Sequence, residues 1–308
     1  MTTSASDGRA GIDAALVKRL LAAQFPQWAD LPVTPVEVDG WDNRTYRLGT
    51  GMTVRLPTAA GYVPGVAKEN EWLPRLAPQL PLPIPQVLGA GEPGEGYPHP
   101  WSIRNWLPGA TLNLPDLADP VLFATDLAAF LHALQACDAT DGPTADAHSF
   151  YRGTSPSYYD EEARACLADL DVAGRIDTRR AAAVWQAALD AEWHGTPVWF
   201  HGDIATGNLL IDAGRLSAVI DFGTSGVGDP ACDLVITWVT LTGPAREAFR
   251  AGMKQDPASW ARARGWALWK AMLQLSGRSH IDAALYPEVE RVIADILDDH
   301  DEHHDQHR

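Results

Sequence analysis

The stretch His201–Leu234, HGDIATGNLLIDAGRLSAVIDFGTSGVGDPACDL, decides the fold and the chemistry predicted for this chain. A short apolar run precedes it, so the segment up to Asp203 is predicted to leave a strand and enter a polar loop. Two more strands are predicted after Asn208, joined by the turn at 212–215. Because such a hairpin brings its outer ends together, we expect Asn208 beside Asp221, with Asp203 one loop away.

Asp203, Asn208 and Asp221 have the spacing of a metal-dependent phosphoryl-transfer site. Transfer of a γ-phosphoryl group needs a divalent metal that neutralises phosphate charge and a group that orients and deprotonates the attacking hydroxyl. The oxygen ligands of Asn208 and Asp221 suit Mg²⁺, and Asp203 would be the catalytic carboxylate. Asp-x-x-x-x-Asn followed by Asp-Phe-Gly is the pattern of the protein-kinase catalytic loop. The stretch therefore predicts a kinase.

The residues after Asp221 indicate which kind of kinase this is. A protein kinase has a long activation segment that ends in Ala-Pro-Glu, whereas this chain runs directly into Gly-Asp-Pro-Ala-Cys-Asp-Leu at 228–234. His-Gly-Asp-x-x-x-x-Asn-Leu, Ile-Asp-Phe-Gly and Gly-Asp-Pro-Ala-x-Asp-Leu together resemble the aminoglycoside phosphotransferase family of small-molecule kinases. The resemblance is strongest over residues 197–238 and extends more weakly over 36–109.

This resemblance implies a protein-kinase-like α+β fold with two lobes. The N-lobe, residues 1–109, would be mainly β and would cover the nucleotide phosphates. The C-lobe, residues 110–308, would be mainly helical and would carry the catalytic loop and the acceptor site. In the N-lobe, alternating apolar residues predict strands over 36–40, 43–48 and 52–56.

Arg55 stands at the strand position where the resembling family has its phosphate-binding lysine. Arginine stays charged and can hold phosphate oxygens with two parallel hydrogen bonds, so the resemblance implies a phosphate contact for Arg55. The helical stretch 64–76 offers Glu69 as its acidic partner, chosen by similarity in register, with Glu71 as the alternative. The segment 40–44 has one glycine rather than three, and is either a phosphate-covering loop or an ordinary β-turn.

Five further residues receive roles from the resemblance or from their position. The strand predicted over 101–107, which ends at Pro108-Gly109, is expected to be the hinge between the lobes. The carbonyl of Asn105 and the amide of Leu107 would bind adenine. The preference for ATP over GTP is an expectation from the family alone. His201 is expected to pack and hydrogen-bond within the catalytic loop. Asp229, which precedes a proline, is predicted to be a helix N-cap, and Asp233 is expected to hold the backbone of the catalytic loop.

Charge and composition limit the class of partner. With 24 basic and 40 acidic residues the net charge is -16, which argues against nucleic acid. It would attract a cationic acceptor, although it would equally keep a protein soluble. The three cysteines lack paired spacing and fit a reducing cytoplasm. No apolar run is long enough for a membrane span, and the N-terminus lacks the features of a signal peptide, so we expect a soluble cytoplasmic protein.

Three regions have two interpretations each. The segment 138–175 mixes aromatic and acidic residues, and either lines an acceptor site or is packed loop. The tryptophans at 238, 260, 266 and 269 are either core residues or walls of a substrate site. The polar tail from about residue 298 is predicted to be disordered, with metal binding by its four histidines as the weaker alternative.

The function predicted is ATP-dependent transfer of a γ-phosphoryl group to a hydroxyl of a small molecule. An aminoglycoside is the acceptor that gives the family its name, and a macrolide, choline, homoserine or a sugar is the alternative, because the motifs define the chemistry and not the acceptor. A nucleotide-binding regulator without turnover is a rival of another class, but it would not need Asp203. The sequence does not define the oligomeric state.

Overall fold

The computed structural model describes residues 9, 11–37, 40, 42–279 and 285–305. The chain divides into two compact units. The smaller unit comprises the residues up to Ala110 together with Ser217–Gly223, and the larger unit comprises Thr111–Leu216 and the residues from Thr224 onward.

The segment Ser217–Gly223 differs from the sequence prediction, which places every residue after 109 in the larger lobe. The physical reason lies in its contacts within the smaller unit. The amide of Val219 donates to the carbonyl of Pro83 at 3.2 Å, and the Asp221 carboxylate accepts a hydrogen bond from Arg55 at 3.0 Å. Asp221 therefore belongs to the smaller unit, whereas Asp203 and Asn208 belong to the larger one.

An antiparallel five-stranded sheet forms the centre of the smaller unit. Its strands are β1 (Val33–Pro35), β2 (Asn43–Leu48), β3 (Met52–Pro57), β4 (Val87–Gly91) and β5 (Trp101–Asn105). Their order is β1-β2-β3-β5-β4, and every neighbouring pair is antiparallel.

The second and third predicted strands are confirmed as β2 and β3, but the first was predicted in the wrong place. β1 ends at Pro35, whereas the predicted strand begins at Val36. Val38 and Asp39 lie outside the described residues. The register explains the difference, because Val33 pairs with Leu48 and Pro35 with Tyr46. A proline has no amide to offer a continuing ladder, so it suits the end of an edge strand.

Two helices pack in the smaller unit, α1 (Ala14–Gln24) and α2 (Val63–Leu76). Asp13 caps α1 by accepting a hydrogen bond from the amide of Leu16 at 2.7 Å. The apolar stripe of α1 is buried in one core with side chains of the sheet. This core contains Leu16, Val17, Leu20 and Leu21 from α1, and Leu48, Val54, Leu56, Trp101 and Ile103 from the sheet.

The larger unit is mainly helical. Its helices are α3 (Pro120–Ala136), α4 (Asp160–Ala173), α5 (Thr178–Asp190), α6 (Ile236–Val239), α7 (Gly243–Met253), α8 (Pro257–Leu275) and α9 (Tyr286–Asp305). Asp119 caps α3 by accepting from two backbone amides ahead of a proline at the first helical position. None of the described helices combines the length and the apolar composition that crossing a lipid bilayer requires.

Five further strands are short, and four of them lie in or next to the central motif. They are β6 (Ala110–Thr111), β7 (Val198–Phe200), β8 (Leu209–Asp212), β9 (Arg215–Val219) and β10 (Gly226–Gly228). β6, β8 and β9 form one sheet in that order, and β7 pairs with β10 in a second. The predicted strand before His201 and the predicted hairpin after Asn208 are therefore present.

The prediction that the tail from about 298 is disordered is wrong for its described part, because α9 continues to Asp305. Amino-acid composition does not show which residues of the fold this acidic helix contacts. Asp299 is 11% exposed and forms ion pairs with Arg250 and Arg264, while Ile296 and Leu297 are buried. His303 accepts from Arg250 at Nε2 and donates from Nδ1 to the Asp299 carbonyl. The structure describes neither the His304 side chain nor His307.

Candidate active site

Arg55 on β3 lies between two carboxylates of the smaller unit. Its Nη1 is 3.5 Å from Glu69 Oε1 and its Nη2 is 3.0 Å from Asp221 Oδ1. Of the two acidic alternatives on α2, the structure places Glu69 beside Arg55. Glu71 is instead 54% exposed and pairs with Arg75 one helical turn away.

Arg104 on β5 is a partner of Glu69 that the sequence analysis missed. Its Nη1 and Nη2 donate to Glu69 Oε1 and Oε2 at 2.8 Å each, which is the bidentate geometry that arginine favours with carboxylates. Arg55 pairs with Ser102 across β3 and β5, so the side chain two residues further along β5 lies on the same face. A cation in the middle of the apolar run Trp101–Leu107 was the signal that could have revealed it.

We define the Arg55 cluster as Arg55, Glu69, Arg104 and Asp221. Glu69 and Arg104 are buried, and the two cations of the cluster oppose its two carboxylates. Burial alone would raise the pKa of Glu69, but Arg104 and Arg55 outweigh it and lower that pKa to about 2. Burial would likewise lower the pKa of Arg55, yet Glu69 and Asp221 raise it above its ordinary value. Both groups are therefore ionised at neutral pH.

Asp221 is the most exposed member of this cluster, and Lys68 lies next to Glu69 in the sequence. Asp221 has a φ of 67°, in the left-handed region that non-glycine residues adopt at a cost and that clusters at functional sites. Its side chain is 37% exposed. Beside Glu69, burial lowers the pKa of Lys68 to about 8.

The two residues expected at the hinge, Asn105 and Leu107, lie at the end of β5 and just after it. The amide of Asn105 donates to the carbonyl of Gln86 at 3.1 Å, and its Oδ1 accepts from the Gln86 amide at 2.7 Å. Leu107 is half-buried. In the segment 40–44, the carbonyl of Asp42 accepts from the amide of Thr58 at 2.9 Å, and Trp41 lies outside the described residues.

Asp233 fixes the catalytic loop of the larger unit. Its carboxylate accepts from the amides of His201 and Gly202 at 2.8 and 2.7 Å. The buried His201 in turn accepts at Nδ1 from the amide of Asp203 at 3.2 Å, and its carbonyl accepts from Thr224 Oγ1 at 3.0 Å. Gly202 has a φ of 85°, and a Cβ there would lie 2.8 Å from the Thr224 carbonyl oxygen. The backbone that precedes Asp203 is thus held on several sides.

Asp229 is the N-cap that the sequence predicts, and it also has a second role in the fold. Its Oδ1 accepts from the amide of Ala231 at 3.1 Å. Its Oδ2 lies 2.6 Å from Nε of Arg262, with the two side chains 2% and 3% exposed. Burial raises the pKa of Asp229. Arg262 comes from α8, so this pair connects the segment after the motif to the long C-terminal helix.

Asp203 is held by two side chains of the larger unit. Nδ2 of Asn208 donates to the Asp203 carbonyl at 2.9 Å and to its Oδ2 at 3.0 Å, and Nζ of Lys270 donates to its Oδ1 at 3.2 Å. Burial alone would raise the pKa of Asp203, but the Lys270 ammonium, with smaller contributions from His201 and Arg152, outweighs this effect and the net pKa is lowered. Asp203 is therefore a carboxylate that stays ionised at neutral pH.

A cleft within the larger unit opens at Asp203. We call it the Asp203 cleft; it is lined by Arg152, Gly202, Asp203, Cys232, Val235, Trp266, Trp269 and Lys270. The two tryptophans and Lys270 come from α8, and Arg152 comes from the segment with two interpretations. Trp266 and Trp269 are largely buried, as core residues are, and they also form part of the cleft wall.

The sequence analysis missed Lys270 and did not single out Arg152 as a cleft residue. Lys270 is 67 positions from its partner Asp203, and no motif covers it. One available signal was that Lys270 directly follows Trp269 in a helix whose residues are otherwise mostly buried.

Comparison with known proteins gives a family and a fold. The model of the phosphotransferase enzyme family matches residues 33–266. No curated protein sequence matches the chain.

Solved structures of phosphotransferases are similar over nearly the whole chain. A GDP complex of wild-type aminoglycoside 2'-phosphotransferase-IIIa has a TM-score of 0.69 at 16% identity, covering 94% of this chain and 99% of that one. A ternary complex of a thermostable mutant of aminoglycoside phosphotransferase APH(4)-Ia with AMP-PNP and hygromycin B has a TM-score of 0.60 at 20% identity, covering 92% and 98%. The macrolide 2'-phosphotransferase MphH from Brachybacterium faecium has a TM-score of 0.56 at 23% identity, covering 91% and 97%.

At these identities the structural likeness establishes the fold, and it confirms the predicted protein-kinase-like α+β architecture. The family match adds the chemistry, because it spans the catalytic motif and most of the chain. On this evidence the chain belongs to the phosphotransferase enzyme family and is a small-molecule kinase.

Proposed function

We propose that this kinase transfers the γ-phosphoryl group of ATP to a hydroxyl group of a small molecule, and that Asp203 acts on that hydroxyl. The observation that carries the proposal is the position of Asp203, an ionised carboxylate at an open cleft, held by Asn208 and Lys270. A carboxylate in this state can accept the hydrogen bond of an incoming hydroxyl and fix its oxygen for attack.

The lowered pKa of Asp203 is compatible with this role. Phosphoryl transfer proceeds through a loose transition state in which the hydroxyl proton need not leave early. In the proposed step the hydroxyl oxygen forms a bond to the γ-phosphorus, the bond from that phosphorus to the bridging oxygen breaks, and ADP leaves. The hydroxyl proton passes to Asp203. Orientation would contribute more than basicity.

For the nucleotide we propose that Arg55 contacts the phosphates and that Glu69 fixes the Arg55 side chain. Arg104 holds Glu69 through two hydrogen bonds, so the partner of Arg55 is itself immobilised. The carbonyl of Asn105 and the amide of Leu107 are proposed to bind adenine. Related enzymes whose structures contain GDP or AMP-PNP support a nucleotide site in this fold.

For the metal we propose Asn208 and Asp221 as ligands of Mg²⁺. The donor set fits, because Nδ2 of Asn208 is engaged with Asp203 and its Oδ1 receives no hydrogen bond from the described residues. The Asp221 carboxylate is 37% exposed. Oxygen ligands of this kind are those that Mg²⁺ prefers, and the bound ion would neutralise phosphate charge.

Three residues are proposed to support the site without touching substrate. Asp233 holds the backbone at His201 and Gly202, and His201 accepts from the amide of Asp203. Asp229 joins the end of the motif to α8 through Arg262. Each would keep Asp203 in position.

A coupled ATP-consumption assay tests the proposal. The panel should contain aminoglycosides, macrolides, amino alcohols, sugars and hydroxy acids, together with a pool of generic peptides, and Asp203→Asn serves as the catalytic blank. We expect ATP consumption with at least one small molecule and none above background with the blank. Turnover of the peptide pool alone, or equal turnover by the blank, would overturn the proposal.

A further inference from the structure

The Asp203 cleft has an excess of positive charge in a protein whose net charge is -16. Its lining contains two cations, Arg152 and Lys270, and one carboxylate, Asp203. Lys270 forms an ion pair with that carboxylate at 3.2 Å, and Arg152 attracts it only from beyond ion-pair distance, so the described lining keeps one positive charge in excess.

Arg152 differs from the buried arginines of the described chain. Arg104, Arg262 and Arg264 each form an ion pair with a carboxylate. Arg152 is half-buried, yet no carboxylate among the described residues lies within ion-pair distance of it. Its Nη1 donates to the carbonyl of Phe150 at 3.1 Å, which is a neutral acceptor.

Two tryptophans position the Arg152 guanidinium. Its carbon lies 4.8 Å from the ring centroid of Trp269 and 5.7 Å from that of Trp266. A ring contact of this kind holds the cation without using up the N–H donors that a bidentate anion needs. The Tyr159 hydroxyl is a further neutral partner of the guanidinium. The five N–H donors of an arginine exceed what the Phe150 carbonyl and this hydroxyl accept.

Nearby carboxylates do not remove this excess. Asp233 is fully buried and accepts from two backbone amides. Glu162 does not line the cleft, and its carboxylate accepts from Nε1 of Trp269 at 2.9 Å. A polycationic acceptor would therefore meet Arg152 and Lys270 on the way to Asp203, and like charges in one cleft repel.

We infer that the acceptor carries an anionic oxygen group, a carboxylate or a phosphate, which binds Arg152 while the acceptor hydroxyl reaches Asp203. This inference rests on the proposed function for the identity of the cleft as the acceptor site. The negative net charge of the protein would favour a cationic acceptor. The lining of the Asp203 cleft is positive instead, and it favours an anionic one.

The test compares sugars that differ in charge on a similar ring: glucuronate, glucose 6-phosphate, glucose and glucosamine. Their binding is measured by titration calorimetry without nucleotide, for the wild type and for Arg152→Gln, which keeps a donor for the Phe150 carbonyl. We expect at least one of the two anions to bind more tightly than glucose, and glucosamine to bind most weakly. Loss of a charge-assisted hydrogen bond in Arg152→Gln should weaken anion binding about tenfold or more.

Arg179→Gln is the matched control, because it removes the same charge from an exposed position of the same unit. It should keep the wild-type order of affinities, and circular dichroism should show all variants folded. Which of the two anions responds to Arg152→Gln distinguishes a carboxylate from a phosphate.

Four results would overturn the inference: no anion binding by the wild type, equal binding of all four sugars, preference for glucosamine, or an order of affinities unchanged in Arg152→Gln. The binding readout does not require turnover. Anion binding that depends on Arg152 without any kinase activity would keep the anion site and contradict the proposed function. Turnover of a cationic acceptor would support the proposed function and overturn the inference.

Discussion

The Arg55 cluster and the Asp203 cleft both combine cationic side chains with carboxylates, yet their charges are arranged in opposite ways. In the Arg55 cluster, Glu69 receives two hydrogen bonds from Arg104 and an ion-pair contact from Arg55. In the Asp203 cleft, Lys270 pairs with Asp203, while Arg152 has no carboxylate among the described residues within ion-pair distance. In the first arrangement Glu69 and Arg104 satisfy each other, while the second leaves the cation Arg152 available.

The physical chemistry of burial explains this difference. Removing charges from water is costly, so a buried pair persists only when its geometry and its additional hydrogen bonds are good. Glu69 and Arg104 are 4% and 2% exposed and meet that requirement. Asp203 and Lys270 are 38% and 36% exposed, so water can solvate them until a ligand arrives. A closed cluster therefore positions side chains, and an open one can exchange partners.

The largest expected effect concerns Asp203 and Asp221, which have the same side chain in different clusters. Asp203→Asn should lower turnover by ~10²- to 10⁴-fold, the typical loss for a general base, while Mg-ATP still binds. Asp221→Asn should weaken Mg-dependent nucleotide binding as well as turnover. Calorimetry of Mg-ATP binding and steady-state rates for both variants measure this difference. Equal loss of nucleotide binding in the two variants would contradict the roles assigned.

The second prediction compares Glu69 with Glu71, two positions apart on α2. Glu69→Gln leaves Arg104 buried without its carboxylate, and breaking a buried pair in this way typically costs about 3–5 kcal/mol of unfolding free energy. Glu71→Gln is the control, because its exposed pair with Arg75 should be worth about 0–1 kcal/mol. Urea unfolding of both variants provides the measurement. Similar losses in the two would show that the Arg55 cluster is not a closed electrostatic unit.

The third prediction follows from the pKa of Glu69, which folding lowers from 4.5 to about 2. Because the unfolded chain takes up a proton at this residue at higher pH than the folded protein does, the stabilisation is complete above pH 4.5 and declines as the pH falls toward about 2. Unfolding free energies of the wild type should therefore fall more steeply over this interval than those of Glu69→Gln. Parallel curves would contradict the lowered pKa.

The smallest effect concerns Lys270. Its ammonium lowers the pKa of Asp203 against the opposing effect of burial, so Lys270→Met should raise that pKa. The acid limb of the kcat/KM profile should then move to higher pH, because Asp203 must be ionised to accept the hydroxyl proton. A merely structural lysine would lower the rate equally at every pH. An unshifted acid limb would remove Lys270 from the site.

The sequence predicts what chain spacing encodes. The strands β2 and β3, the hairpin after Asn208 and the cap at Asp229 are local patterns, and the structure contains them. The start of β1 is not local in this sense, since it depends on which residue of β2 pairs with Val33.

Partners brought together by tertiary packing have no spacing signal. Arg104 meets Glu69 across 35 positions and Lys270 meets Asp203 across 67, so no motif contains either pair. The same holds for α9, whose acidic composition favours disorder until Arg250 and Arg264 are known to meet Asp299. Net charge fails for a similar reason, because it averages over the surface and does not report the charge at one cleft.

The length of α8 has a consequence for any attempt to work with a shorter protein. The family match ends at Trp266, but α8 continues to Leu275 and buries Met272 and Leu275 beyond that point. A chain truncated at the family boundary would end in mid-helix and would lack Lys270 and all of α9. The end of the family match is therefore not the end of the folded unit. An expression or fusion experiment should retain the chain at least to Asp305.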